Sequence, residues 1–242
     1  MAEVLMKAGA FVAVIIMGNL LRRAGFFKEE DFYVLSKIVL KITLPAAIIS
    51  NFSGIDLKPS MLVMTLLGFG GGILYITMAF FMSIGKEREE RAFNVLNLPG
   101  YNIGNFTMPF AQSFLGPVGV VATSLFDTGN AFVCLGGAYS VAVVTKEKNA
   151  RFSLLPVVKT LLKSLPFDAY LIMTVLSFLH VALPAPITSF TGVIGNANAF
   201  MAMLMIGVGF KLNEDSSQPG KIVRILAARD RKSTRLNSSH EE

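Results

Sequence analysis

Three long stretches of the sequence carry no Asp, Glu, Lys or Arg: residues 59–85, 92–126 and 169–210. A helix needs about 20 mostly apolar residues to cross the hydrocarbon core of a bilayer, and each stretch is longer than that. Only 16% of all residues are charged and the mean hydropathy is +0.59, whereas a soluble domain has about 25% charged residues. The sequence therefore predicts an all-α integral membrane protein.

The apolar pattern predicts about seven transmembrane helices. The longest uncharged stretch must turn back on itself, and the two prolines in 183–187 favour a short connection there. In 151–164, apolar residues alternate with Lys159 and Lys163, which suits a short interfacial helix or an extension of the sixth span. The predicted spans are 4–21, 35–54, 61–84, 93–114, 117–144, 167–183 and 190–210.

The basic residues lie almost entirely in alternate connections between these spans. Because Lys and Arg are enriched in cytoplasmic loops, this alternation predicts a multi-pass protein of the cell (inner) membrane with its N-terminus outside. The same distribution accounts for the net charge of +6 without a nucleic-acid partner, and one Cys with two His provides neither a disulfide framework nor a zinc site. The residues concerned are Arg22, Arg23, Lys28, Lys86, Arg88, Arg91, Lys146, Lys148, Arg151, Lys159, Lys163, Lys211, Lys221 and Arg224.

The fourth predicted span is interrupted by helix-breaking and amide residues. Non-helical backbone at membrane depth is tolerated only where it is buried in protein or lines a watery cavity, and transporters place substrates at the ends of such broken helices. The segment therefore predicts a discontinuous helix that lines a polar site, with a Pro-kinked helix packed by small residues as the alternative. The residues are Asn97, Pro99, Gly100, Asn102, Gly104, Asn105 and Pro109.

Asp127 is the acidic residue deep within an apolar run, in the fifth predicted span. Intramembrane carboxylates are costly and usually face an interior cavity or an ion pathway. Asp127 could accept a proton, bind sodium or pair with a Lys. The alternatives are a neutral carboxyl held for packing by Thr128 or Asn130, or a position near the outer surface.

A weak internal similarity links the second and seventh spans, which are both rich in small residues and Asn. An offset of five spans places the two copies in opposite orientations, as in an inverted-topology repeat. Together with the fourth span, this pattern resembles the auxin efflux carrier family of membrane transporters over about residues 5–228. The resemblance is carried by Leu44-Pro45-Ala46, Asn102-Ile-Gly-Asn105, Pro109, Gly116, Gly119, Phe126-Asp127-Thr-Gly-Asn130, Leu161-Leu-Lys-Ser-Leu-Pro-Phe167, Gly207 and Gly209.

The resemblance implies a ten-helix fold of two inverted five-helix repeats, in which the fourth and ninth helices are broken and cross near the middle of the membrane. Residues 1–145 would form the first repeat and 146–229 an incomplete second repeat. Residues 230–242 look like translated sequencing adaptor, so that the last three helices would be missing. Family members carry organic anions such as auxin and malonate, and the short third cytoplasmic loop is similar to the bacterial branch.

The function predicted from these features is secondary transport of a small organic anion. Asn102, Gly104, Asn105, Pro109, Asp127 and Asn130 would form the substrate site, with Pro109 keeping the helix broken and Asp127 linked to H+ or Na+. No other cofactor is expected, and the partners would be membrane lipid, the solute and, as an open possibility, a second copy in a homodimer. The alternatives are a non-transporting sensor or scaffold, an inactive truncated fragment and, with the least support, an intramembrane enzyme, because Ser124 near Asp127 lacks a companion His.

Overall fold

The computed structural model describes residues 2–147 and 153–210, and this part of the chain is helical without strands. The conspicuously polar segment 230–242, and the end of the predicted second repeat, lie outside these residues. The helices are α1 (Ala2–Arg23), α2 (Asp31–Phe52), α3 (Pro59–Met82), α4 (Arg88–Asn97), α5 (Ile103–Lys146), α6 (Leu154–Leu161), α7 (Leu165–Phe178) and α8 (Ala185–Gly209).

Five of these helices are long and apolar enough to cross a membrane: α1, α2, α3, α5 and α8. The count becomes six if α6 and α7, which meet at 81°, form one bent span. The described residues are therefore compatible with a membrane-embedded helical protein, with fewer separate spans than the seven predicted. Membrane orientation and the ten-helix repeat remain predictions.

The difference in count arises mainly at α5, which contains both the second part of the fourth predicted span and the whole fifth span. A straight helix of 44 residues would be about 66 Å long at 1.5 Å per residue, roughly twice the hydrocarbon thickness. Gly116, with φ 62° and ψ −155°, leaves the helical region just before Pro117. Glycine alone adopts such a conformation readily, so α5 consists of two helical arms, 103–115 and 117–146.

A short connection does precede the seventh predicted span, but it lies slightly earlier than the predicted 183–187: the backbone is non-helical from Val181 to Pro184, and residues 185–187 already belong to α8. The segment 154–161 is a separate helix at a steep angle to α7, so a straight extension of the sixth span is excluded. Its Val157 and Leu161 are buried, while Leu154 and Leu155 are exposed.

Three wide π-helical turns interrupt the regular helices, at Val39–Thr43 in α2 and at Ile103–Thr107 and Val133–Gly137 in α5. The first two are each followed, after one residue, by a proline, Pro45 or Pro109. Proline has no N–H to donate and its ring crowds the carbonyl four residues earlier, and the wider turn relieves both conflicts. Such π turns occur frequently at functional sites.

Helix α5 is the centre of the molecule. Its Met108, Val120 and Leu125 form one buried cluster with Leu44 and Ile48 of α2 and with Tyr170 and Met173 of α7. A second buried cluster joins its far end to α3 and α4. This packing holds the broken segment before α5, the carboxylate on α5 and the start of α7 against one another.

Candidate functional site

The interruption of the fourth predicted span lies between α4 and α5. Helix α4 ends at Asn97, and the π turn that opens α5 begins at Ile103. The first backbone N–H groups bonded back to Asn102 O are those of Phe106, at 3.3 Å, and Thr107, at 3.4 Å. The N–H groups of residues 103–105 thus precede the first intrahelical bond, as at any helix start.

This helix start borders a cavity of about 150 Å³. Residues 101–105 form one wall, and the α2 turn contributes Leu40 and Leu44. The remaining walls come from the second arm of α5 and the start of α7. All three π turns reach this cavity, because Leu40, residues 103–105 and residues 134–135 belong to them.

The carboxylate of Asp127, on α5, lines the cavity and accepts two hydrogen bonds. The Tyr170 hydroxyl donates to its Oδ2 at 3.1 Å, and the Asn130 amide nitrogen donates to its Oδ1 at 3.0 Å. Tyr170 and Asn130 are 2% and 1% exposed, so their positions are fixed by packing. Each carboxylate oxygen has a second lone pair that these two bonds leave available.

Cys134 connects this carboxylate to the broken segment. Its thiol lies 3.0 Å from Asn130 Oδ1 and 3.2 Å from Pro99 O. Since Asn130 accepts from Cys134 on its oxygen, its nitrogen is directed to Asp127. The non-helical backbone before α5 and the Asp127 carboxylate are therefore linked through two side chains of one helix face.

Asn105, a residue of the same cavity wall, has an unsatisfied acceptor. Its Oδ1 is buried and has no hydrogen-bond partner among the described residues. A buried polar atom without a partner costs about 1–3 kcal/mol, and this oxygen carries that cost.

Gly104, one of the residues of the helix start, lies beside the Asp127 carboxylate. A methyl group added there would lie 4.0 Å from both Asp127 Oδ2 and the Tyr170 hydroxyl, and 3.0 Å from Leu44 Cδ2. The absence of a side chain at 104 therefore leaves the space between the helix start and Asp127 open.

Five of the six predicted site residues line this cavity: Asn102, Gly104, Asn105, Asp127 and Asn130. Pro109 does not, and its predicted role needs correction: it lies buried inside α5, past the break, where it follows the π turn. The sequence alone did not assign Tyr170 and Cys134 to the site. Tyr170 is the one tyrosine in the sixth predicted span, but Thr174 and Ser177 also carry hydroxyls there, so the sequence did not single it out, and nothing distinguished Cys134 from a packing residue.

Acidic but not basic side chains are found among the described residues that line the cavity. Among the described residues that line it, Asp127 is the only Asp, Glu, Lys, Arg or His. No group of three or more His, Cys, Asp or Glu residues able to hold a metal ion occurs in the part of the chain that the structure describes. Lys41, one turn before Pro45, is exposed.

Comparison of the chain with protein-family models, with curated proteins and with solved structures finds no match. The resemblance to the auxin efflux carrier family therefore remains a prediction from sequence motifs. The function of the site has to be argued from its geometry.

Replacing Tyr170 with Phe is expected to lower the free energy of unfolding by about 1–3 kcal/mol, because the hydrogen bond from its hydroxyl to the Asp127 carboxylate is lost. Thermal unfolding in detergent, followed by loss of helical circular dichroism, measures the change. Tyr75→Phe is the matched control, since Tyr75 is also buried but packs on Tyr101 away from Asp127. Equal losses in the two variants would contradict a specific role for the Tyr170 hydroxyl.

Proposed function

We propose that this chain forms the solute-binding part of a secondary transporter for a small organic anion. The observation that carries the proposal is a helix start inside an apolar helical assembly, opening onto a cavity that the Asp127 carboxylate also lines. A helix packed only for stability has no need of such an interruption, because each free polar group in an apolar environment is costly.

The helix start supplies the attraction for an anion. The N-terminal end of a helix carries a partial positive charge and N–H groups that precede the first intrahelical bond. At α5 these are the N–H groups of residues 103–105, and these three residues line the cavity. Anions bind at helix N-termini for this reason, and transporters use half-helix ends in the same way.

The size of the cavity favours a short aliphatic carboxylate. Pockets for drug-sized ligands have volumes of about 300–1,000 Å³, whereas this cavity has about 150 Å³. An apolar cavity of about 150 Å³ in another protein holds one benzene molecule. Propionate and malonate would fit within this volume, whereas an auxin-like indole acid would have to extend beyond it.

Uptake into proteoliposomes tests the proposal. The protein is expected to accumulate radiolabelled malonate or propionate, and to accumulate indole-3-acetate more slowly. Binding without flux would favour the sensor or scaffold alternative. Neither binding nor flux with any of the three acids would contradict the proposed function.

Gly104→Ala is expected to reduce the affinity for malonate several-fold more than that for acetate. The added methyl group would fill the space between the helix start and Asp127, and it would also require Leu44 to move by a few tenths of an ångström. Gly100→Ala is the control within the same broken segment, because a methyl group there would have only Asn97 O within 4 Å. Competition binding with the two acids measures the ratio, and an unchanged ratio in Gly104→Ala would contradict this use of the cavity.

A further inference from the structure

Helix α6 packs on α5 through one face and leaves two other faces exposed. On the packed face, Val157 and Leu161 are only 3% and 2% exposed. A methyl group at Gly136 of α5 would lie 2.9 Å from Val157 Cα, so the two backbones approach each other closely. This contact fixes the rotation of α6 about its axis, and with it the directions of the two exposed faces.

The first exposed face of α6 is apolar. Leu154, Val158 and Leu162 follow one another at intervals of four residues, and side chains with this spacing are neighbours on a helix surface. Leu155 lies beside them, and the exposed fractions of the four side chains range from 43% at Val158 to 64% at Leu154. A contiguous exposed apolar patch of this kind marks a contact with a membrane or a partner.

The second exposed face is basic and adjoins the first. Lys159 lies in the last turn of α6, and Lys163 follows in the turn that ends the helix, where its N–H donates to Thr160 O at 3.3 Å. Both lysine side chains are exposed, and no ion pair joins either of them to a described acidic residue. Two neighbouring positive charges of this kind favour an anionic partner.

The direction of α6 matches this division of its surface. Helix α6 meets α7 at 81°, while Tyr170 and Met173 of α7 belong to the buried cluster shared with α2 and α5. Helix α6 therefore runs across the packed helix α7 and does not continue it. An amphipathic helix with lysines beside its apolar face lies at the boundary between acyl chains and headgroups, where lysine stems extend toward the headgroups.

We propose that α6 is a docking site for an anionic phospholipid, whose phosphate binds Lys159 and Lys163 and whose acyl chains cover the row that begins at Leu154. A dissolved phosphate would satisfy the lysines but would leave the apolar row uncovered. A second copy of the chain would cover the row in a two-fold symmetric contact, but it would bring a second pair of lysines toward the first. A lipid satisfies both faces together.

Native mass spectrometry of the purified 242-residue chain in detergent tests this inference. The chain is titrated with phosphatidylglycerol and with phosphatidylcholine of identical acyl chains, so that the net charge of the headgroup is the variable. We expect the first phosphatidylglycerol to bind about 30-fold more tightly than the first phosphatidylcholine, the effect of two lysines beside an anionic headgroup. In Lys159→Gln/Lys163→Gln this ratio is expected to fall to about 1, with circular dichroism unchanged because both side chains are exposed.

The matched control is Lys86→Gln/Lys146→Gln, which removes the same total charge. Lys86 forms an ion pair with Glu90, and Lys146 Nζ lies 3.2 Å from Glu89 Oε1, so these two charges already have carboxylate partners. The control is expected to keep the preference for phosphatidylglycerol. Equal losses of this preference in the two double variants would overturn the assignment of the lipid to α6.

Two further arms identify the occupant. Leu154→Ala/Leu162→Ala shortens two exposed side chains and is expected to weaken the binding of both lipids several-fold, while sn-glycerol 3-phosphate is expected not to displace phosphatidylglycerol. Displacement by that soluble phosphate would overturn the proposal in favour of a phosphate site. Equal binding of the two lipids by the unchanged chain would overturn it as well, and so would a dimer that dissociates in Lys159→Gln/Lys163→Gln when neither lipid binds.

Discussion

Replacing Asp127 with Asn is expected to reduce uptake of a small carboxylate into proteoliposomes by about 10-fold or more. The amide has the size of the carboxylate but carries no charge, so it neither takes up a proton nor holds a sodium ion as a carboxylate does. Loss of a coupling of about 1–3 kcal/mol between ion and solute corresponds to this magnitude. Membrane insertion and yield are expected to be normal.

Asn105→Ala is expected to impair uptake as well, since it removes an amide group from the wall of the cavity. Its matched control is Asn97→Ala, at an exposed amide that bonds to Phe93 O at the end of α4. The control for Asp127→Asn is the exposed Asp56→Asn. Normal uptake in both Asp127→Asn and Asn105→Ala would refute the assignment of the site.

The second large effect that we expect is a loss of stability when the contact between α3 and α5 is altered. Gly68→Ala and Gly129→Ala are each expected to destabilise the protein by about 1–3 kcal/mol, the usual cost of inserting atoms into a packed interior. A methyl group at Gly68 would overlap Phe126 O, and one at Gly129 would overlap Thr65 O. Both atoms belong to backbone, so the helices themselves would have to separate.

Gly70→Ala provides the control on the same helix, because nothing lies within 4 Å of a methyl group at that position. Alanine has a higher helix propensity than glycine by about 1 kcal/mol, so this variant is expected to be neutral or more stable. Thermal unfolding in detergent, followed by loss of helical circular dichroism, measures all three variants. Equal midpoints for Gly68→Ala and Gly70→Ala would contradict the close approach of α3 and α5.

The same contact is important for the candidate site. Gly129 lies two residues after Asp127, and the hydroxyl of Thr65 on α3 donates to Leu125 O at 2.9 Å. Helix α3 thus holds the part of α5 that presents the carboxylate. Variants at Gly68 or Gly129 that still fold are expected to bind the solute less tightly.

The helical segments could be predicted from the sequence because charge-free stretches of sufficient length leave few alternatives in a membrane. The interruption in 97–109 was also predictable from its prolines, glycines and amides. The exact extent of the interruption could not be predicted, because Pro99 and Pro109 have different effects on the helix. The backbone is non-helical from Leu98 to Asn102, around Pro99, whereas Pro109 is accommodated by a π turn within a continuing helix.

The partners of Asp127 could be predicted only in part. Asn130 lies three residues later on the same helix, within the spacing at which helical side chains meet, and it does bond to Asp127. Tyr170 is 43 residues away, and no local rule relates the two positions. Only the packing of α7 against α5 brings the hydroxyl to the carboxylate, and this packing depends on shapes that a single sequence does not display.

Cys134 offers the most direct measurement of whether a solute occupies this cavity. It is the one cysteine in the sequence, and it lines the cavity beside Asn130 and the broken segment. The rate at which a small methanethiosulfonate reagent labels the purified protein therefore reports on this site alone. We predict labelling in the empty protein that slows severalfold with saturating propionate; absence of labelling, or an unchanged rate with propionate present, would contradict the proposal that a small carboxylate binds at this helix start.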